Sequence, residues 1–549
     1  MFSDLGPPGD RYGDNAYFVF GSGAKGVSLI AANSFTISGT GAFDITELDL
    51  GLVYYMGVNS FLVSIYNDNN GLPGIQVANA CFPAVSGVPD GNLLNITSIS
   101  GVSLSAGQRY YLVISPETLT SDTIGLWHFN NQGANTTDYA SFDGGASWYN
   151  DGPGPLGAMA IQGNAAPGFN VIYNFANSKD GSVPIGSLAI DKAGNLYGTA
   201  KTGGSTGNGT VFELTRTGST WTQKTLYSFQ GGADGAFPSG RMIFGSDGSL
   251  YGTTISGGGT GCGGTGCGTV FNLKLGAMLG TWNETVLYRF GGSDGANPTL
   301  GELTFDKSGN LYGTTNSGGA SNSGAVYELK RAGSTWTQSV LYNFTGGSDG
   351  GSPDAGVIFD KAGNLYGTTI VGGTGHGTVY ELMPSGSGWS ESVLYAFKPG
   401  VGGVYPLAGL LFDSSGNLYG ASSYGLGVNG GTVFELSPSG TSWTFTVLYT
   451  FPLVGTGEGP LDSLIFDSAG NLYGTTNGDG SAYGEGNVFE LSPAGGGVWN
   501  YTDFHDFTHY CGDGGSPYAG LVIDAQGKLY GTTSNGGSNA YGAIFAITP

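Results

Sequence analysis

Charge is scarce in this sequence: Asp, Glu, Lys and Arg make up 10% of its 549 residues. Positive charge is scarcest, with 17 Lys and Arg against 40 Asp and Glu, a formal net charge of −23. Such a surface repels phosphate backbones and anionic headgroups, which argues against nucleic acid as a partner and against membrane insertion. It suits a soluble extracellular protein and tolerates neutral polymers or cations. Long apolar runs are absent, so no segment reads as a transmembrane helix. Histidine occurs four times, at His128, His376, His505 and His509. His505-Asp-Phe-Thr-His509 has the His-x-x-x-His spacing but follows a strand-D pattern rather than a helical one, and no Ser–His–Asp order is recognisable, which ranks metallohydrolase and serine-hydrolase chemistry low. Cysteine also occurs four times. Cys262 and Cys267 sit in Gly-Cys-Gly-Gly-Thr-Gly-Cys-Gly, which reads as a local disulfide formed in an oxidising compartment. A zinc site is the weaker alternative, because the one His pair at metal spacing, His505 and His509, lies far along the chain from this glycine loop. Met1 precedes Phe-Ser-Asp without a basic or apolar leader, as expected of a mature exported form carrying an added Met.

What is abundant is glycine, at 106 residues, with 13% aromatics. Gly, Ser, Thr, Tyr and Val at this level indicate many short strands joined by tight turns. The segment Asn-Leu-Tyr-Gly-Thr-Thr returns seven times with small variations, on Tyr197, Tyr251, Tyr312, Tyr366, Tyr419, Tyr473 and Tyr530. Successive spacings are 54, 61, 54, 53, 54 and 57 residues. A period near fifty, built only of strand and turn signals, predicts a β-propeller of seven blades.

Each repeat reads as four antiparallel strands, A to D. In the repeat from Pro406, an apolar run meets Asp-Ser-Ser-Gly-Asn, then Leu-Tyr-Gly, a glycine loop, Gly-Thr-Val-Phe-Glu-Leu, a Ser-Pro-Ser-Gly turn, and Trp443 to Phe451. Strands A and B meet at Asp-x-x-Gly-Asn, where Asp accepts backbone N–H bonds and Gly supplies positive φ. Six blades keep this Asp (Asp191, Asp306, Asp360, Asp413, Asp467, Asp524) and the second has Gly245. A row of aspartates invites a metal or catalytic reading, but a repeated Asx turn explains it better. The recurrent strand-C Glu (Glu213, Glu328, Glu381, Glu435, Glu490) reads as a packing or hydrogen-bonding position. The tryptophans opening strand D (Trp221, Trp282, Trp336, Trp389, Trp443, Trp499) read as inter-blade core. The last repeat stops after strand C, while Val171–Phe175 matches the Leu-Tyr-x-Phe end of strand D. That phase predicts a ring closed by its N-terminal strand, outermost in blade seven.

The motifs Leu-Tyr-x-Phe, Asp-x-x-Gly-Asn-Leu-Tyr-Gly-Thr-Thr and Gly-Thr-Val-Phe-Glu-Leu resemble the GloVer-type tandem repeats of bacterial exported proteins, often grouped under "choice-of-anchor" names. The resemblance spans about residues 170–549 and implies export. It carries no catalytic motif. Members often end in an anchoring tail, whereas this sequence ends at Pro549 directly after a strand.

Residues 1–165 lack the repeat. Alternating runs such as Phe61–Tyr66 and Tyr110–Ser115 between turn signals predict a β-sandwich, jelly-roll-like. It is similar to accessory sandwiches of exported bacterial proteins, which often look like carbohydrate-binding or adhesion domains. Ser141–Trp148 matches the Asp-box hairpin of sialidases, a structural device there. Asn67, Asp68, Asn69 and Asn70 form an oxygen-rich turn that could take Ca²⁺, although a plain turn explains it better. Residues 166–170 read as a linker and 171–549 as the propeller.

Strand order puts the D–A and B–C loops at one end of the ring and the A–B and C–D turns at the other. The D–A and B–C loops vary most, so function is expected there. Three residues before the end of strand A the repeat has Ser187, Gly356, Gly409, Ser463 or Gly520, but blades two and three have Arg241 and Glu302. They read as an inter-blade ion pair, or as a charged ligand-contact pair at the channel mouth. Loop acids on the same face include Asp180, Asp234, Asp294, Asp349, Asp354, Glu458, Asp462, Asp479, Glu485 and Asp513. A paired-carboxylate site or a Ca²⁺ site could be assembled from them, and spacing alone picks no pair. The catalytic candidates are therefore Arg241, Glu302, Asp294, Asp349 and His376. Aromatics outside the repeat pattern, Phe237, Tyr405, Tyr424, Tyr483, Tyr518 and Tyr541, suit stacking on sugars. The leading expectation is a secreted protein that binds a polysaccharide or cell-surface glycan without catalysis. The alternatives are a polysaccharide-active hydrolase or lyase at the channel mouth, and a self-assembling surface protein.

Overall fold

The computed structural model describes residues 168–549, except 219, 279, 299–301, 401, 426–429, 453–458, 479–484 and 508–512, together with the strand backbones before residue 168. Among the described residues there is no α-helix, and Cys262–Gly264 forms a single 3-10 turn. Among the described residues no helix is long and apolar enough to cross a membrane. The chain divides into two compact units, with the first boundary between Asn170 and Val171; the first unit also takes Phe504–Asp513 and Ile547–Pro549.

The first unit is built of antiparallel strands. Its widest sheet has six, in the order Tyr149–Pro155, Asn135–Ser141, Ile30–Thr36, Arg109–Pro116, Phe61–Asn69 and Leu72–Pro83. The two alternating runs singled out in the sequence are neighbours there, with Tyr111 opposite Tyr66 and Val113 opposite Ser64. Phe61–Asn69 pairs with Leu72–Pro83, with Asn69 opposite Leu72. The side chains of Asn67, Asp68 and Asn70, and hence the Ca²⁺ expectation, lie outside the described residues.

The second unit is a propeller of seven sheets. In blade 1, strand A is Ala189–Ile190, B is Leu196–Ala200, C is Thr210–Thr217 and D is Thr220–Ser228, paired in that order. Blades 2 to 6 repeat the order, and blade 2 adds Ala236–Pro238 beside its strand B. The seventh sheet runs Val522–Ile523, Leu529–Thr533, Ala543–Thr548, and then Gly168–Asn174 as its outermost strand. That strand begins at Gly168, inside the stretch expected to be linker, because Phe169 is buried and stacks on His505 with ring centroids 3.6 Å apart.

Each letter of the recurring motif has a physical task. Asp191 Oδ1 accepts the N–H groups of Ala193 and Asn195 at 2.8 and 2.9 Å, and Oδ2 accepts Asn195 Nδ2 at 2.9 Å. Asp306, Asp360, Asp413 and Asp467 do the same in their blades. These carboxylates fold the A–B turn, as an Asx motif does. The motif Tyr joins that turn to strand C: Tyr197 Oη donates to Glu213 at 2.7 Å and lies 3.3 Å from Asp191. Blade 2 loses both acids together, with Gly245 and Asn272 in their places. The motif Gly lets strand C approach, since a Cβ on Gly198 would lie 2.6 Å from the Phe212 ring. The first Thr staples neighbouring blades, as Thr314 does to the Ala355 carbonyl at 2.8 Å and Thr368 to that of Ala408 at 3.0 Å. The second Thr pairs within its blade, as Thr369 does with Thr378 at 2.8 Å.

Core lies between blades. Trp336 packs edge-on against Tyr251 of the preceding blade at 6.4 Å, Trp443 against Tyr366 at 6.0 Å and Trp499 against Tyr419 at 6.4 Å. Trp221 of blade 1 makes the same contact with Tyr530 of blade 7 at 5.9 Å. One buried cluster joins Phe175, Leu188, Leu196 and Phe212 to Val522, Tyr530 and Ile544. Each such aromatic pair is worth about 0.5–1.5 kcal/mol beyond the area it buries.

Candidate functional site at the loop end and channel

The loop end is stitched by main chain. Val183, Phe237, Asn297, Ser352, Tyr405 and Ser516 each precede a proline and have φ between 46° and 60°; Gly459, in the same register of blade 6, has 71°. In this left-handed region each N–H reaches a carbonyl of the preceding blade's B–C loop. Phe237 N donates to Asn208 O at 2.9 Å, Tyr405 N to His376 O at 3.0 Å, and Val183 N to Tyr541 O at 3.0 Å. The backbone does the structural work, so the side chain at this register is left to vary. Phe237 and Tyr405 stand where other blades have Val, Asn, Ser or Gly.

The aromatic candidates occupy this end. Tyr424 is 42% exposed, Tyr518 38% and Tyr541 40%, while Phe237 and Tyr405 are half-buried. Blades 4 and 5 bring three candidates together. The His376 ring stands 5.9 Å from that of Tyr405, and Tyr405 O accepts Ser423 N, next to Tyr424. His376 Nδ1 is buried with no hydrogen-bond partner. Tyr483 lies outside the described residues.

Five of the eight described loop acids close their own loops, and Glu458 and Asp479 lie outside the described residues. Tyr173 Oη donates to Asp180 at 2.9 Å, Tyr227 to Asp234 at 2.9 Å, and Tyr342 to Asp349 at 3.1 Å. Tyr288 donates to Asp294, which also accepts Gly291 N at 2.8 Å. Asp349 accepts Thr345 N at 2.8 Å. His505, the buried replacement for this Tyr, keeps the contact through Nε2 to Asp513 at 3.2 Å. Burial pulls the Asp180 carboxyl upward, but hydrogen bonds from Ala176, Ser178 and Tyr173 outweigh it and hold the group below the usual carboxylate range. Asp294, Asp349 and His376 thus belong to three separate loops, and no bond joins them to one another.

The channel is different. Its register is crowded: a Cβ on Gly356 would lie 2.2 Å from Glu302 O, and one on Gly409 2.5 Å from Ser463 Oγ. Two charged side chains project among these small residues. Arg241 Nη1 stands 4.0 Å from Glu302 Oε2, with side chains 36% and 28% exposed. A third charge joins them from blade 6. Asp462 Oδ2 accepts Ser187 Oγ and Gly520 N, both at 2.6 Å, and Oδ1 accepts Ser463 N at 2.6 Å. The Glu302 pKa is raised to about 6, chiefly by burial; Arg241 pulls it down and Asp462 pushes it up. Glu302 is therefore a half-buried acid held above the usual carboxylate range, with Arg241 and Asp462 as its charged neighbours. Asp462 is undistinguished among ten loop acids until the repeats are aligned on their proline. Its register then reads Gly186, Gly240, Gly301, Ala355, Ala408, Asp462, Ala519. Among the described residues no group of three or more His, Cys, Asp or Glu forms a metal site. The Cys262–Cys267 disulfide is present in the B–C loop of blade 2.

Three overlapping segments, residues 159–374, 263–465 and 374–549, match the family described as the Gloeobacter/Verrucomicrobia repeat. No curated protein sequence matches the chain. Likeness to solved structures is distant. An ulvan lyase of a polysaccharide lyase family is 12% identical, over 68% of this chain and 94% of that one, with a TM-score of 0.42. PorZ, a bacterial surface component of the type-IX secretion system of Porphyromonas gingivalis, is 14% identical, with a TM-score of 0.40; the match covers 77% of this chain and 55% of that one. A protein from Lactobacillus plantarum is 14% identical over 68% and 91% of the two chains, with a TM-score of 0.40.

Proposed function

The chain belongs to the Gloeobacter/Verrucomicrobia repeat family, and for this member we propose an exported, non-catalytic protein that binds a polysaccharide or cell-surface glycan on its loop end. The observation that carries the reading is the set of tyrosines left 38–42% exposed there, Tyr424, Tyr518 and Tyr541. A phenol ring presents a flat apolar face and one hydroxyl, which suits the C–H face and the hydroxyls of a sugar. The backbone stitching frees the Phe237 and Tyr405 side chains for the same use. A ring latched by Gly168–Asn174 would hold these loops in fixed register, and a jelly-roll-like first unit would serve as an accessory module.

The test incubates the protein with a polysaccharide panel and reads both retention and new reducing ends. Retention without cleavage, weakened in Tyr405→Ala and Tyr518→Ala, is the expected result. Unchanged retention in both variants sinks the aromatic loop end. A second reading, a hydrolase or lyase at the channel, draws support from the raised pKa of Glu302 beside Arg241. It predicts cleavage that Glu302→Gln abolishes.

A further inference from the structure

The opposite end of the ring holds a groove of about 650 Å³. That lies within the range of about 300–1,000 Å³ typical of small-molecule sites. The A–B turns of blades 3, 4 and 5 and the C–D turn of blade 5 build it. Phe359, Phe412 and Trp443 supply an aromatic lining, and Lys307 and Lys361 stand on the neighbouring turns. Beneath, Tyr366 meets Phe412 edge-on at 5.1 Å and Trp443 at 6.0 Å, which fixes the two rings.

The charges lining this groove are not equivalent. Asp360 and Asp413 also line it, but their carboxylates are engaged. Asp360 accepts Ala362 N, Asn364 N and Asn364 Nδ2 at 2.8–2.9 Å. Asp413 accepts Ser415 N, Asn417 N and Asn417 Nδ2 over the same range. Lys307 and Lys361 are exposed. Among the described residues the ion pairs are Arg241–Glu302, Lys274–Asp247 and His505–Asp513, none of which involves them. The register they occupy runs Lys192, Ser246, Lys307, Lys361, Ser414, Ser468, Ala525, so only blades 3 and 4 place lysines side by side. At physiological ionic strength the Debye length is about 8 Å, so the protein's distant negative charges are screened; Asp360 and Asp413 keep their charge, but their oxygens are tied to the turns while the lysine ammonium groups are exposed.

We propose that this groove binds an anionic saccharide unit, its ring against Phe412 and Trp443 and its carboxylate or sulfate against the ammonium groups of Lys307 and Lys361. The inference shares only a ligand class with the proposed function and uses the other end of the ring, so the two can fail separately. The full chain is titrated by calorimetry with an oligogalacturonate, a sulfated galactan oligosaccharide, maltotetraose and sodium sulfate. One or both charged oligosaccharides should bind, while maltotetraose and sulfate alone should not; the arm that binds tells carboxylate from sulfate. Lys307→Met and Lys361→Met should each weaken binding about threefold and together about tenfold, as expected for exposed charge pairs. Should the double variant melt early, Ser415→Trp fills the groove from an exposed turn and should give the same loss. Failure of both charged oligosaccharides to bind, equal binding of maltotetraose or of sulfate, or unchanged affinity in the double variant overturns the proposal. So does loss of this binding in Tyr405→Ala, which leaves the groove intact.

Discussion

Tyr327 and Tyr380 are fully buried, and neither hydroxyl has a hydrogen-bond partner. They fill the strand-C register that other blades fill with Phe212, Phe271, Phe434, Phe489 and Phe545. Each oxygen is pressed against the motif glycine: a Cβ on Gly313 or Gly367 would lie 2.5 Å from it. The hydroxyl therefore loses its water on folding and gains nothing in return, and burial drives both phenol pKa values far above their usual range. An unsatisfied buried polar group costs about 1–3 kcal/mol. Removing the oxygen leaves a void of one atom, which takes back part of the gain. The expected outcome is that Tyr327→Phe and Tyr380→Phe each stabilise the protein by about 1 kcal/mol. The residues sit in different core clusters, so the double variant should approach the sum.

The assay is urea denaturation followed by tryptophan fluorescence. The midpoint should rise while the slope stays constant, since the surface exposed on unfolding hardly changes. The reverse substitutions are the control. Phe212→Tyr and Phe434→Tyr place the same hydroxyl against Gly198 and Gly420, where a Cβ would already lie 2.6 and 2.7 Å from the ring. They should cost about 1–3 kcal/mol through overpacking and desolvation together. A fall in stability of 1 kcal/mol or more in Tyr327→Phe would refute the reasoning, because it would mean that the hydroxyl is satisfied.

Glu284 and Glu391 occupy the strand-D register where blades 1 and 3 carry Gln223 and Gln338, whose amides donate to the Asp180 and Asp294 carbonyls. Burial, with Asp234 and Asp349 respectively adding to it, raises each glutamate pKa to about 7. A raised carboxyl favours the fold while protonated, so its contribution is intact below about pH 4.5 and fades as pH rises to 7. Glu284→Gln with Glu391→Gln should therefore melt higher than the parent at pH 8 and equally at pH 4, read as melting temperature against pH; solvent screening limits the gain to about 1 kcal/mol per site. At Gly459, Ala would place a Cβ in left-handed backbone without a close clash. Gly459→Ala should cost about 1 kcal/mol, measured by denaturation, and no cost would mean that the loop relaxes out of the stitched conformation. Arg241→Met removes the one neighbour that lowers the Glu302 pKa, while burial and Asp462 still raise it. The alkaline end of the stability loss tied to Glu302 should move above pH 6, and an unmoved profile would show that the 4.0 Å contact carries no electrostatic weight.

The blade count and the strand assignments are legible because one motif fixes strand, turn and interface at once. Asp folds the A–B turn, Tyr bridges turn to strand C, Gly admits an aromatic ring, and Thr reaches the next blade. A residue with a local task leaves a local signature that recurs with the fold. The six aspartates and the strand-C glutamates are bonded within their own blades for this reason, and the strand-D tryptophans cross to the preceding blade because the repeat presents them always to the same tyrosine. The left-handed residues before proline are invisible for the opposite reason. Their task is done by N–H and C=O groups, so Val, Phe, Asn, Ser, Tyr and Gly serve alike and no residue type marks the register.

Function in such a repeat must sit where one blade departs from the others, since what all seven share is consumed in making the ring. Arg241 and Glu302 are visible as departures because they replace the small residues of their register. Asp462 is a departure of the same kind one residue earlier, and it becomes visible only when the repeats are aligned on their proline. Lys307 and Lys361 are harder still. Lysine in an exposed turn is unremarked in either blade, and its meaning comes from two blades carrying it side by side over an aromatic groove. The informative unit is then a pair of like side chains on neighbouring blades, which sequence separates by 54 residues and ring geometry brings to one cavity. By that criterion the channel, where Arg241 and Glu302 stand on adjacent blades, and the lysine groove are places to look for function that folding does not require.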